Sequence, residues 1–222
     1  MPPPRPSGFT LAELLVVIAI IALLLAVSIP ALSSFYKNRA LETASRVLQT
    51  TFLEARQQAV ATRTDHLVIL FSEVIEGRPR YGLRTIQSGQ GYVGNPVYLA
   101  GHLIFEVAGD GGSLTSSGIR LYEGGAPPKD TEPYLELVDP DGDHTGVLCF
   151  KAASGELDLE LFDDQHSTLN GQSIFDPNVD LERLPGDIAA DIKVRSPNTI
   201  KLLLLDLEAS GRAQARVVLE SR

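Results

Sequence analysis

Gly8-Phe9-Thr10-Leu11-Ala12-Glu13 opens the stretch that decides the reading of this chain. Directly behind it, Leu14–Ser34 reads LLVVIAIIALLLAVSIPALSS, and no charge follows until Lys37. A bilayer core takes about 20 apolar residues in a helix, so this run is long enough to cross one. A single carboxylate, Glu13, stands at its mouth. Three readings compete. A cleaved secretory signal expects several positive charges and a small-x-small site after a short apolar core. Only Arg5 is positive ahead of the run, and the possible site Ala31-Leu32-Ser33 lies past a long core. A plain membrane anchor explains the apolar residues but not Glu13. An acidic residue costs about 2.5–3.5 kcal/mol at the centre of a spanning helix, less near the interface. The third reading is a helix that assembles with other helices. It gives the carboxylate a role, because a buried anion persists where it is paired. Snorkelling of Glu13 to the lipid interface is the bland alternative.

The glycine, phenylalanine, threonine, leucine and glutamate in this order, followed at once by the apolar run, resemble the class III signal of type IV pilins and type II secretion pseudopilins. The resemblance covers about the first quarter of the chain. It implies that a prepilin peptidase cuts between Gly8 and Phe9 and N-methylates Phe9. It implies that Glu13, five residues after the cut, pairs with the Phe9 amine of a neighbouring subunit and sets register as subunits enter a filament. Pro30 matches a proline common deep in the family's helix. It removes a backbone hydrogen bond and is expected to kink or loosen the helix. The implied partners are prepilin peptidase, other pilin or pseudopilin subunits in a homo- or hetero-oligomeric filament, the inner-membrane assembly platform and membrane lipid. The implied location is the inner membrane, single-pass, with a soluble domain on the periplasmic side.

Composition sets further bounds. The chain has 222 residues and a net charge of −9. Loss of the leader with Arg5 would take that from −9 to −10. Such a balance argues against nucleic-acid binding by bulk electrostatics. One cysteine, Cys149, lies in the apolar run Gly146-Val147-Leu148-Cys149-Phe150, so an intramolecular disulfide is excluded and a small core residue is expected.

Beyond Ala40, Leu41, Ala44, Leu48, Phe52, Ala55 and Ala59 recur at steps of three and four, which marks one helical face. Lys37, Arg39, Glu42, Arg46 and Glu54 fall mostly off it. The helix is expected to end near Thr62–Asp65, after about 50 residues or about 75–80 Å. Strand-like segments follow at His66–Phe71, Tyr81–Ile86, Leu103–Val107, Tyr134–Val138, Val147–Lys151, Leu157–Phe162, Ile200–Leu207 and Ala213–Leu219. Glu208–Arg212 reads as the turn of a hairpin. Stretches 88–101, 109–133 and 163–187 read as long loops or irregular structure. A long helix followed by strands gives an α+β class. The expectation is a pilin-like arrangement, a long N-terminal helix packed on an antiparallel sheet. Its parts are a leader at 1–8, a transmembrane or filament-core helix at 9–36, an amphipathic continuation at 37–65 and a β-rich soluble domain at 66–222.

A second resemblance concerns the soluble part. Leu53-Glu54-Ala55-Arg56-Gln57-Gln58-Ala59-Val60 is similar to the helix end of the GspH/FimT group of minor pseudopilins and minor pilins. A strand with phenylalanine and a following glycine, Phe150 to Gly155, and the hairpin with Gly211-Arg212 also fit that group. The resemblance points to an H-type minor pseudopilin of type II secretion or its type IV pilus counterpart. Arg56 has a bland alternative as a solvated helix residue.

Motifs for chemistry are weak. Asp139-Pro140-Asp141-Gly142-Asp143 alternates carboxylates as calcium sites do. Counted from Asp139, however, positions six and twelve are His144 and Phe150, where an EF-hand needs glycine and glutamate. A solvated turn is the ordinary reading. Gly109-Asp110-Gly111-Gly112 lacks the lysine and helix of a phosphate loop. His66, His102, His144 and His166 show no metal-ligand spacing. No metal, cofactor or enzyme activity is expected. A membrane-anchored binding domain with an uncut helix is the reading from another class.

Overall fold

In the computed structural model, residues 11–106, 119–124, 147–158, 168–169, 172–173, 190–197 and 200–219 are described; at 27, 29–38, 168–169 and 172–173 only the backbone is. The chain separates into two compact units, Met1–Arg39 and Ala40–Arg222. Helix α1, Leu11–Thr62, continues as helix past position 30, where proline has no N–H to donate.

In the second unit the helical stripe does what its spacing predicts. Leu41, Leu48, Phe52 and Ala59 have no exposed surface, and Ala44 and Ala55 almost none. Arg39, Glu42, Arg46 and Glu54 are exposed. The helix ends where Arg63 turns left-handed, at φ 55°, a geometry that closes many helix C-termini. Thr62 returns its hydroxyl to the Gln58 carbonyl. Asp65, just beyond, accepts the Ala152 backbone N–H at 2.7 Å.

The first sheet contains β1 (His66–Ile75), β2 (Arg78–Gln87), β3 (Gly91–Tyr98), β5 (Leu121–Glu123) and β6 (Leu148–Phe150). Its order is β3-β2-β1-β5, with β6 also on β1. β6 pairs antiparallel with His66–Val68 and β5 parallel with Leu70–Ser72. The second sheet runs β11-β10-β9-β4, from Ala213–Leu219, Lys201–Leu207, Ile192–Arg195 and Ile104–Phe105, all antiparallel. A short pair, β7 (Thr168–Leu169) and β8 (Gln172–Ser173), stands apart from both.

β1 and β10 are buried on both faces, which explains their nearly continuous apolar runs. Val68 and Leu70 of β1 join the helical stripe, Leu83, Phe150, Leu203 and Leu205 in the main core. Phe52 and Phe150 meet across it with ring centroids 6.4 Å apart. Leu67 and Ile69 point the other way and pack with Ile86, Val147 and Cys149.

Four strands depart from the expected loops. β3 occupies most of 88–101. Gly91, Gly94 and Pro96 disguise it, yet it is an edge strand among the described residues, where proline is tolerated. Its hold comes from the ladder to β2 and from Tyr98, whose hydroxyl donates to Glu73 and whose ring lies edge-on to Phe71. β5 lies within 109–133, and β7–β8 within 163–187. β9 was not anticipated either; four residues give too short a pattern to stand out. Of the expected strand Leu103–Val107, Ile104–Phe105 form β4 and Val107 lies outside the described residues; Leu157 forms only a bridge to Phe150. The expected strand Tyr134–Val138 and residues 159–162 lie outside the described residues.

Candidate functional site

The first candidate is the start of α1. Gly8 and Phe9 lie outside the described residues. Glu13 sits in the helix's first turn, where the unsatisfied backbone N–H groups and the helix dipole favour a negative charge. Around and behind it, every side chain from 11 to 26 is exposed, Leu11 at 78% and Leu23 at 70%. Apolar residues thus occupy all sides of this segment, not one stripe. A helix of that kind is suited to burying its whole circumference in lipid or among other helices. Ser28 keeps its polarity internal by donating its hydroxyl to the Leu24 carbonyl at 2.8 Å. Among the described residues no helix is long and apolar enough to cross a membrane. Side chains of the uncharged run are described at 14–26 and 28; those at 27 and 29–34, Pro30 included, lie outside.

The second candidate lies wholly in the Ala40–Arg222 unit, where the structure gathers Arg56, Gly155 and Gly211. Sequence places these nearly 100 and more than 50 residues apart, and the fold brings them to one point. Lys151–Gly155 forms a tight turn after β6, closed by the Gly155 N–H donating to the Lys151 carbonyl. Glu208–Gly211 forms the turn between β10 and β11, closed by the Gly211 N–H donating to Glu208. Both glycines are left-handed, at φ 70° and 77°. The Leu157 N–H donates to the Ala209 carbonyl and joins the two turns.

The stem of Arg56 lies across this junction. A Cβ on Gly155 would stand 2.9 Å from Arg56 Cγ and 2.9 Å from Val60 Cγ2. A Cβ on Gly211 would stand 3.2 Å from Arg56 Cδ. Any side chain at either position would displace helix or turn. Gln49, two helical turns earlier, donates its side-chain amide to the Ala213 carbonyl at 3.1 Å and ties α1 to the start of β11. A groove of about 170 Å³ opens here between Gln49, Leu53, Arg56, Gly211, Arg212 and Ala213.

Charge at the groove is positive. Arg56 is half-buried, and no hydrogen bond or ion pair engages its guanidinium among the described residues. Arg212 is exposed. Glu208, in the same turn, accepts from the Gln214 amide and the Ser210 hydroxyl. Those two bonds, with the Arg212 charge, hold its carboxyl below the usual range.

Among the described residues, the remaining sequence candidates do not converge. Asp139, Asp141, Asp143, Gly109–Gly112, His144 and His166 lie outside the described residues. His66 is buried at the start of β1, with Nδ1 3.0 Å from the Thr64 carbonyl oxygen. His102 is exposed. No group of three or more potential metal ligands occurs among the described residues. Cys149 is buried and unpaired. Burial, reinforced by Asp65 and Asp158, pushes its thiol up to about 12. Sequence reasoning singled out Arg56 and the Gly211-Arg212 turn but not the groove between them. Gln49 gave no signal, and Leu53 none beyond its place in the resemblance, because their part depends on which strand lies beside the helix.

A family model described as the prokaryotic N-terminal methylation motif matches residues 4–29. This supports a type IV pilin-like class III signal and a prepilin-type substrate of prepilin peptidase, which assembles with other pilin subunits. No curated protein matches the chain, and no solved structure does.

Proposed function

We propose that the chain is a structural subunit of a type II secretion pseudopilus, an H-type minor pseudopilin acting in protein secretion. The methylation motif over residues 4–29 supports the prepilin class of this reading. Cleavage follows Gly8, Phe9 becomes the methylated first residue, and the apolar helix holds the chain in the inner membrane with its soluble domain outside. On assembly the helix exchanges lipid for neighbouring helices. Glu13 pairs there with the Phe9 amine of the adjacent subunit, which offsets the cost of a carboxylate in an apolar environment. Burial against other helices uses the all-round apolar surface of residues 11–26. The chain carries no enzymatic activity, cofactor or metal, and binds no nucleic acid.

The H-type assignment rests on the likeness of Leu53–Val60, Phe150–Gly155 and Gly211-Arg212 to the GspH/FimT group. Its support is the meeting of Arg56, Gly155 and Gly211 at one junction. The same features favour a FimT-like minor pilin of a type IV pilus as the second reading. Co-expression with a prepilin peptidase tests the class. The chain should lose residues 1–8, and Gly8→Val should block that loss. A chain that stays full length beside an active peptidase would refute the proposal and leave a membrane-anchored binding domain.

A further inference from the structure

The β1–β2 hairpin runs past the other described strands of its sheet. β3 pairs with β2 as far as Gly82, and β5 with β1 as far as Ser72. Beyond them Glu73 and Arg80, Val74 and Pro79, and Ile75 and Arg78 pair only with each other among the described residues. The ribbon closes on Glu76 and Gly77, both left-handed at φ 53° and 74°, the geometry of a two-residue hairpin turn. A two-stranded ribbon by itself is marginal in water. This one also leaves Val74 71% exposed, with residues 76–80 exposed beside it. Val74 and Pro79 share one face; Ile75, Arg78 and Arg80 share the other. Neither arginine has an ion pair among the described residues.

Connectivity within the Ala40–Arg222 unit fixes where the tip lies. α1 ends at Thr62, and β1 begins at His66. Val68 and Leu70 pack on the helical stripe, so β1 runs back along α1 towards Ala40. The neighbouring strands agree. Val97 pairs with Leu83, which pairs with Leu70, and Val97 lines a groove with Thr43, Val47 and Glu54. His66–Ile75 spans about 30 Å as a strand, and Ala40–Thr62 about 33 Å as a helix. The tip thus comes level with Ala40, which in sequence closely follows Lys37, the first charge after the apolar run.

We propose that the hairpin tip is a foot that rests on the phospholipid headgroup layer. It rests on the reading of the apolar run as a membrane helix. If that run fills the hydrocarbon core, residues 37–40 cross the headgroup layer, which is about 5–7 Å deep. The tip's chemistry suits the same layer. Arg78 and Arg80 donate to phosphate oxygens, and Glu76 faces the ammonium of phosphatidylethanolamine. Val74, Ile75 and Pro79 place apolar surface between headgroups. Glu73 and Glu76 balance the two arginines, which fits a zwitterionic surface better than a protein patch of one sign. The contact is made before assembly and ends when the helix leaves lipid.

The test uses the full chain reconstituted in vesicles of phosphatidylethanolamine and phosphatidylglycerol, with no other subunit present. A fluorophore is attached at Val74→Cys or, in a second sample, at Gln90→Cys in the turn at the opposite end of the sheet. Cys149 is buried and stays unlabelled in the folded chain. Residues 74, 78, 80 and 90 are exposed, so substitution leaves the fold in place. Lipid with a nitroxide near its headgroup should quench the label at 74 and spare that at 90. With Arg78→Gln and Arg80→Gln together, quenching at 74 should fall about fivefold or more, since one arginine near an anionic surface contributes about that factor. No quenching at 74, or equal quenching at 74 and 90, would overturn the foot. So would quenching that the paired substitution leaves unchanged. Alkaline carbonate extraction of the same vesicles reads insertion. An inserted chain with an unquenched label at 74 removes the foot and leaves the membrane helix; a chain stripped by carbonate removes the membrane reading, on which the foot rests.

Discussion

Gly155 and Gly211 meet back to back beneath Arg56: a Cβ on Gly211 would stand 2.5 Å from the Gly155 carbonyl oxygen. Left-handed backbone and close approach both act at this position. Gly211→Ala should therefore destabilise the soluble domain by about 2–4 kcal/mol, combining backbone strain with overpacking. Gly89→Ala is the control. Its φ is 74°, but a Cβ there meets nothing within 4 Å, so only the strain of about 1–2 kcal/mol remains. Urea unfolding midpoints compare the two. Equal losses would show that the junction is not closely packed.

The stripe on α1 gives a second contrast between adjacent residues. Phe52 is fully buried against Phe150, and Leu53 is half exposed. Phe52→Ala should cost about 3–5 kcal/mol through transfer and cavity terms. Leu53→Ala should stay within about 0.5 kcal/mol. Similar losses for both would mean that the helix presents a different face to the sheets.

Cys149 supplies a pH dependence. Its thiol is pushed up to about 12 in the folded chain from an ordinary value near 9.0. Between those values the unfolded state releases a proton that the folded state retains. The folded state then binds more protons, so its stability falls as pH rises. The Cys149 contribution is level below pH 9 and is lost progressively towards 12. The stability difference between the wild type and Cys149→Ala should therefore shrink over that window. A difference independent of pH would contradict the burial of the thiol. A disulfide reagent at neutral pH should also label Cys149 only on unfolding.

Glu13→Ala tests the assembly role. The variant should still insert in the membrane, since it removes a charge from an apolar segment. Its recovery in sheared filaments should drop, while wild-type subunits still assemble. Normal incorporation of the variant would remove the register role of Glu13.

Much of this architecture was legible because its periodicities are local. Leu41 to Ala59 declared a buried helical face before any partner for it was known. His66–Phe71, Ile200–Leu207 and Ala213–Leu219 declared strands through dense β-branched and leucine runs. β3 was hidden because an edge strand needs no apolar alternation and tolerates Gly94 and Pro96. β5 and β9 are too short to show a pattern. At the candidate site, Arg56 and Gly211-Arg212 were visible as a resemblance, but their contact depends on long-range pairing of β6 with β1 and on the docking of the β10–β11 turn. The Arg56 groove is a product of tertiary structure.

The central claim is that Gly8-Phe9 is a processing site and that the helix behind it is an assembly helix. Mass spectrometry of the N-terminal peptide from protein purified out of its own membranes tests it most directly. The account predicts a chain that begins at Phe9 and carries one methyl group on its α-amine. A chain that retains Met1, or one that begins at Ser34, would contradict it.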